Sequence, residues 1–200
     1  DGGLDTSRWD YETFYSPYPK EKMVAAILKG RVKVRGEEIN TVAALKALGE
    51  PALVIEPGRG LVGDAAVTLA RVSQVRKIES SHNLLTLEMG VTNLGTALVY
   101  MPVHRWEIIN DPGRRDPTPF ETFVGGNLCF SGDMLAKYKI ALQRKPVRGD
   151  IVLIRDTGAY EPQFFASNAN AFPRPARVLV QADGGLTVMK TRDSYEEIFS

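Results

Sequence analysis

The sequence predicts the tail of an α/β barrel over residues 1–66, followed by a mostly antiparallel, β-barrel-like domain over residues 67–200. Three observations carry this. Ala52-Leu53-Val54-Ile55 is a short continuous apolar run, as expected of a strand buried on both faces. It follows a helical pattern and runs at once into the polar glycine loop Glu56-Pro57-Gly58-Arg59-Gly60, the helix, strand and loop rhythm of an α/β barrel. Beyond Arg59 the character changes to short, alternating or β-branched runs separated by turn signals.

Taken in order, Asp1-Gly2-Gly3-Leu4 reads as a strand end entering a glycine turn. Thr6 to Pro19, rich in aromatics and holding two prolines, reads as an irregular loop. Lys20 to Leu28 places Met23, Val24, Ile27 and Leu28 at helical spacing. Thr41 to Leu48 reads as a second helix, with Thr41 as N-cap and Gly49 as its stop. Strands are expected over Val67 to Ile78, Leu84 to Met89, Thr96 to His104, Ile151 to Arg155 and Ala176 to Val180. Turns fall at Asp111-Pro112-Gly113, Arg148-Gly149-Asp150 and Asp183-Gly184-Gly185. Met134 to Gln143 is expected to be a helix, with Lys137 and Lys139 on its solvated face and Lys145 just beyond it.

Composition narrows the classes. Twenty-five basic and 24 acidic side chains leave a net charge of +1, which is no electrostatic footprint for nucleic acid. No apolar run approaches the ~20 residues of a membrane-spanning helix. A single cysteine forms no internal disulfide and fits a reducing, cytoplasmic compartment. His82 and His104 are not at metal-ligand spacing; His82 reads as exposed and His104 as structural. The abrupt start at Asp1-Gly2-Gly3 reads as the middle of a longer chain.

The lone thiol sits in Gly125-Gly126-Asn127-Leu128-Cys129-Phe130-Ser131-Gly132-Asp133. Spacing alone leaves two readings open: a small buried hydrophobe, as most free cysteines are, or a reactive thiol on a loop.

A set of motifs then comes into line. Glu56-Pro57-Gly58-Arg59, Gly125 to Asp133, Pro146 to Asp150, Asp156-Thr157-Gly158-Ala159-Tyr160, Ser167 to Asn170, Pro173-Arg174-Pro175 and the Thr191 to Glu197 tail occur together. In order and spacing this set resembles the pyridoxal-phosphate decarboxylases of diaminopimelate, ornithine and arginine, which have the alanine-racemase-like fold. The resemblance covers nearly all of this chain but only the C-terminal half of a typical member. It implies a pyridoxal 5'-phosphate cofactor, an amino-acid substrate, and a homodimer with shared active sites. Glu56 would face the pyridine nitrogen, and Gly58, Arg59 and Tyr160 would hold the phosphate, with Gly2 and Gly3 matching the end of a glycine-rich phosphate turn. Cys129 would donate a proton in the opposite subunit's site, and Asp133 would order its loop.

The departures bear on the substrate. The acidic residue expected after the cysteine is Phe130, the arginine expected for a distal carboxylate is Thr96, and the aromatic expected between two asparagines is Ala169. These imply a substrate other than diaminopimelate, because an unpartnered charge in a buried site is costly. The family's cofactor-bearing lysine would precede residue 1, so these 200 residues alone are expected to be inactive and to need an N-terminal barrel half. A racemase of the same fold and a non-catalytic binding relative are the competing readings. Cys129 argues against the racemase, which usually carries a tyrosine there.

Overall fold

The computed structural model describes residues 20–52, 54, 56, 58–78, 82–99, 103–111, 113–161 and 168–200. The chain divides into two compact units, one running through Val62 and one from Gly63 onward.

In the first unit, helix α1 (Lys20–Lys29) is followed by a hairpin of β1 (Arg31–Val34) and β2 (Glu37–Asn40), then by α2 (Thr41–Ala47). The hairpin turns on Arg35 and Gly36, both at positive φ, which matches the right-handed twist of the flanking strands. The N-cap of α2 is Asn40, not Thr41: its Oδ1 accepts from the N–H groups of Val42 and Ala43 at 3.0 and 3.4 Å. Gly49, at φ +82°, ends the helix as expected. Its N–H donates to Lys46 O and that of Glu50 to Leu45 O, the paired bonds of a left-handed helix stop. A helical turn follows at Arg59–Val62.

The expected barrel strand is not formed among the described residues. Ala52 and Val54 are exposed and unpaired, while Leu53 and Ile55 lie outside the described residues. A parallel barrel strand is held only by neighbours on either side, and no described strand pairs with this segment. Residues 1–19, with the expected first strand and aromatic loop, also lie outside the described residues.

The second unit is built on a six-stranded sheet. Its strands are β3 (Thr68–Ile78), β4 (His82–Leu87), β5 (Trp106–Ile108), β6 (Phe120–Gly125), β7 (Met134–Leu142) and β8 (Ile151–Ile154). Their spatial order is β5-β8-β3-β4-β6-β7, antiparallel except for the parallel pair β4–β6. Strand β3 pairs with β8 over Thr68–Arg71 and with β4 from Val72 onward, and a bulge between Val72 and Gln74 bends it where it changes partner. A separate hairpin joins β9 (Arg177–Val180) to β10 (Leu186–Lys190), and the short helix α3 (Tyr195–Phe199) ends the chain.

Two sequence expectations give way here. Met134 to Gln143 is strand, not helix. Its apolar residues suit either period, but Tyr138, Ile140 and Leu142 alternate inward, and register shifts against β6 let Leu135 and Ala136 both face the core. Lys137 and Lys139 therefore lie on a strand. The strand expected over Thr96 to His104 is not formed among the described residues: Thr96–Val99 is a helical turn on the connection crossing from β4 to the parallel β6, and residues 100–102 lie outside the described residues. Such a crossover needs more chain than a tight turn.

The sheet curls until its edges β5 and β7 meet. Gln143, just past β7, makes this closure with its side chain: Nε2 donates to Ile108 O at 2.6 Å, and Ile108 N–H donates to Oε1 at 3.2 Å. An amide side chain thus pairs with β5 as a strand peptide would. Inside the curl lie Val72, Leu85, Leu87, Val124, Leu142, Val152 and Ile154, all wholly buried. Each such side chain stabilises the fold by about 1.5–3 kcal/mol relative to an exposed one.

Arg144, the next residue, is also buried. It forks onto Asp150, with Nη1 to Oδ2 at 2.6 Å and Nη2 to Oδ1 at 3.0 Å, and Nη2 also donates to Asn110 O. Asp150 accepts further from Val147 N–H and Asn110 Nδ2. Burial pushes the Asp150 carboxyl up, but these donors, Arg144 foremost, outweigh it and leave its pKa below the ordinary value. Its stabilisation is therefore present above the ordinary carboxylate pKa and lost as pH falls through the depressed value. Replacing Asp150→Ala strands a buried guanidinium and should cost about 3–5 kcal/mol. Urea unfolding should show a lower midpoint at unchanged slope, and the variant should lose the part of the wild type's acid sensitivity that this carboxyl supplies.

Candidate functional site

The cysteine loop joins β6 to β7, and its shape is set by Asp133 at its base. That carboxylate is buried, with Oδ1 accepting from Val91 N–H at 2.6 Å and Oδ2 from Leu128 N–H at 2.7 Å. Backbone bonds add to the stitching: Gly126 N–H donates to Asp133 O, and Asn127 N–H to Met89 O. The loop is thereby tied to the Met89–Val91 segment beyond β4. Burial raises the Asp133 carboxyl above its ordinary pKa, and the two backbone donors oppose but do not cancel that effect.

Close approach explains the glycines. A Cβ at Gly126 would sit 2.3 Å from Asp133 Oδ2 and 2.5 Å from Met89 O, and one at Gly90 would sit 2.4 Å from Leu128 Cγ. At Gly132 it would meet the ring of Phe130 at 2.4 Å. With Leu128 buried below, Cys129 and Phe130 are exposed at the loop's surface.

Asp156 to Tyr160 forms a second pinned segment, after β8. Thr157 N–H donates to Ala66 O, Gly158 N–H donates to Gly63 O, and Thr68 Oγ1 donates to Thr157 Oγ1. Asp156 (φ +62°) and Tyr160 (φ +66°) both occupy the left-handed region, which costs a non-glycine residue of order 1–3 kcal/mol unless its surroundings hold it there. Arg105 pairs with Asp156 through Nε and Nη2. Tyr160 is exposed, while its neighbour Glu161 is wholly buried.

Thr96 is buried too, and both its N–H and its hydroxyl donate to Glu161. His104 Nε2 lies 3.7 Å from Glu161 Oε1, and its Nδ1 lies 2.9 Å from Arg155 O. His104 is thus a core residue, as the sequence suggests. His82 is half-buried against Phe123, with ring centroids 5.8 Å apart, and not exposed as expected.

A third knot joins motifs that the sequence gives no joint role. Asp193 accepts from Arg174 Nε (2.7 Å) and N–H (2.9 Å), from Lys190 Nζ (2.5 Å) and from Asn168 Nδ2 (2.9 Å). Arg174 first, then Lys190 and Asn168, hold its pKa far below the ordinary range.

The second unit thus brings Cys129, Phe130 and Asp133 onto one loop and puts Thr96 in a buried cluster beside Tyr160's neighbour. Glu56, Gly58 and Arg59 belong to the first unit; Glu56 and Gly58 are exposed and Arg59 is half-buried. Gly2 and Gly3 lie outside the described residues. Sequence reasoning misses Glu161 altogether, since no spacing ties it to Thr96 or His104. Among the described residues, no group of three or more His, Cys, Asp or Glu could hold a metal ion.

Comparisons with known proteins agree with one another. Residues 13–158 match the family described as pyridoxal-dependent decarboxylase, C-terminal sheet domain. The diaminopimelate decarboxylase of Archaeoglobus fulgidus is 32% identical over 198 residues, 98% of this chain and 42% of that protein. That of Methanothermobacter thermautotrophicus is 32% identical over 151 residues, 76% of this chain and 33% of that protein. Among solved structures, the M. jannaschii diaminopimelate decarboxylase in complex with L-lysine superposes at a TM-score of 0.64 and 26% identity, covering 80% of this chain and 35% of that one. The chain spans about a third to two fifths of the length of these relatives.

The Asp133 knot yields a direct test. Asp133→Asn leaves one of two buried N–H groups facing an amide donor, which should cost about 1–3 kcal/mol. Hydrogen exchange should accelerate at Val91 and Leu128, with the β3–β8 amides unchanged; unchanged protection at both would show that Asp133 does not hold the loop.

Proposed function

Because this chain belongs to the pyridoxal-dependent decarboxylase family, through its C-terminal sheet domain, we propose that the protein removes carbon dioxide from an amino acid with pyridoxal 5'-phosphate as cofactor. The observation that carries the proposal is the family match, which spans the loop exposing Cys129 above the Asp133 anchor.

Taken one by one, the residues suit the cofactor chemically: in the first unit an exposed carboxylate (Glu56), a glycine at φ +39° (Gly58) and a guanidinium (Arg59), and in the second an exposed phenol (Tyr160). When bound, pyridoxal phosphate supplies an electron sink for the bond to the departing carboxylate. Glu56 would favour a protonated ring nitrogen, and Arg59 and the Tyr160 hydroxyl would hold the phosphate through charge-assisted and neutral hydrogen bonds. Cys129 would give its Sγ proton to the substrate carbon that lost carbon dioxide, becoming the thiolate, and would do so across a homodimer interface so that each site draws on both subunits. A reducing, cytoplasmic compartment suits an exposed lone thiol.

Two substrate readings rest on different observations. The relatives are named diaminopimelate decarboxylases, which favours diaminopimelate and gives the expectation drawn from Phe130 and Thr96 no support. The commitment of both Thr96 donors to Glu161 favours a substrate without a distal carboxylate. Decarboxylation assays of the full-length protein separate them: efficient turnover of diaminopimelate establishes the first, and turnover only of amino acids without a distal carboxylate establishes the second.

For the cofactor and proton roles, Arg59→Ala should weaken pyridoxal phosphate binding by about 1.5–3 kcal/mol, the range of a charged hydrogen bond. Cys129→Ser should leave that binding unchanged and lower turnover by roughly 10²–10⁴-fold. Cofactor affinity equal to wild type in Arg59→Ala, or full turnover in Cys129→Ser, would remove that residue from its role.

A further inference from the structure

We propose that Glu161 is a positioning residue, which fixes the turn presenting Tyr160. This rests on the reading of Tyr160 as a contact to the cofactor phosphate. Glu161 is wholly buried, yet the residue before it in the chain is exposed and held at φ +66°. A left-handed tyrosine persists only where the chain on both sides is fixed. On one side, Ala159 is buried and Gly158 N–H is bonded to Gly63 O. On the other, Glu161 takes two donors from Thr96 and faces His104.

The histidine completes the anchor. Its Nδ1 lies 2.9 Å from a backbone carbonyl, which only accepts, so that nitrogen carries a proton. Its Nε2 faces a carboxylate oxygen at 3.7 Å. The carboxylate therefore joins three segments: the helical turn at Thr96, the approach to β5 at His104, and the turn after β8 that ends on Tyr160. Its effect reaches the phosphate through the Tyr160 backbone.

A cofactor-binding cycle on the full-length protein tests this. The dissociation constant of pyridoxal phosphate is measured by absorbance titration for wild type, Tyr160→Phe, Glu161→Ala and the double variant. Each single change should weaken binding about tenfold, on the scale of one hydrogen bond. The double variant should be no weaker than either single one, because Glu161 has nothing left to position. A merely structural carboxylate would give losses that multiply, and about hundredfold weakening in the double variant overturns the proposal. So does wild-type affinity in Glu161→Ala. Should Glu161→Ala fail to fold, Glu161→Gln takes its place: it keeps the side-chain shape and an acceptor for Thr96 but drops the charge facing His104, and the same non-additivity is expected. A wild type that does not bind pyridoxal phosphate at all overturns the cofactor reading and this inference together, whereas weakened Tyr160→Phe beside unaffected Glu161 variants overturns this inference alone.

Discussion

The bidentate pair between Arg144 and Asp150 is what the closed curl of the sheet rests on. Arg144 follows β7, Asp150 precedes β8, and Asn110, which binds both, follows β5. Three strand ends, two of them edges, therefore meet at one buried charge pair. Asp150 O also accepts from Val72 N–H, at the point where β3 leaves β8 for β4. A buried ion pair contributes little net stability over an apolar replacement of the same shape. What it adds here is register: Asn110 Oδ1 accepts from Ile151 N–H, which fixes where β8 begins beside β5. A slip of one residue would turn Val152 and Ile154 out of the core.

With the curl closed, the loops at its rim are held by the same device. Asp133 collects two backbone N–H groups and pulls the cysteine loop onto the Met89–Val91 segment. Glu161 collects two donors from Thr96. Asp193 collects Arg174, Lys190 and Asn168. In each case a buried carboxylate satisfies donors that a loop cannot pair with its own backbone, which is the requirement for burying a loop base at all. The loop tips are left free of that duty, and the residues there, Cys129, Phe130 and Tyr160, are exposed.

Much of the second unit was legible in the sequence because its strands alternate or run apolar between strong turn signals. Val67 to Ile78, Leu84 to Met89 and Ile151 to Arg155 fall within a residue or two of β3, β4 and β8. Met134 to Gln143 misleads because Leu135 and Ala136 are adjacent and both buried, which breaks the two-residue period; the cause is a register shift, a property of the pairing and not of the segment. Thr96 to His104 is apolar enough for a strand, but Thr96–Val99 forms a helical turn on the connection between the parallel neighbours β4 and β6. The hairpin β1–β2 carries almost no signal, since its side chains are nearly all exposed. Of the site, the cysteine loop and the Asp156–Tyr160 turn were legible as motifs. The Glu161 cluster was not, because it joins residues 65 positions apart through burial alone.

These carboxylates also change how the motifs divide between structure and chemistry. In the Gly125–Asp133 motif the acid is buried and bonded to backbone, while the thiol is exposed. In Pro146–Asp150 the acid is buried against Arg144, while Arg148 faces solvent. In the tail, Asp193 is buried and Arg192 is exposed. An acid in such a position is already saturated with donors, so it has little capacity left to bind a ligand or carry a proton. Its place in a motif reflects the loop it holds. The exposed neighbours, Cys129, Arg148 and Arg192, are carried on the backbone that these acids anchor. That division leaves an exposed position such as Phe130 able to vary without loss of the loop that presents it.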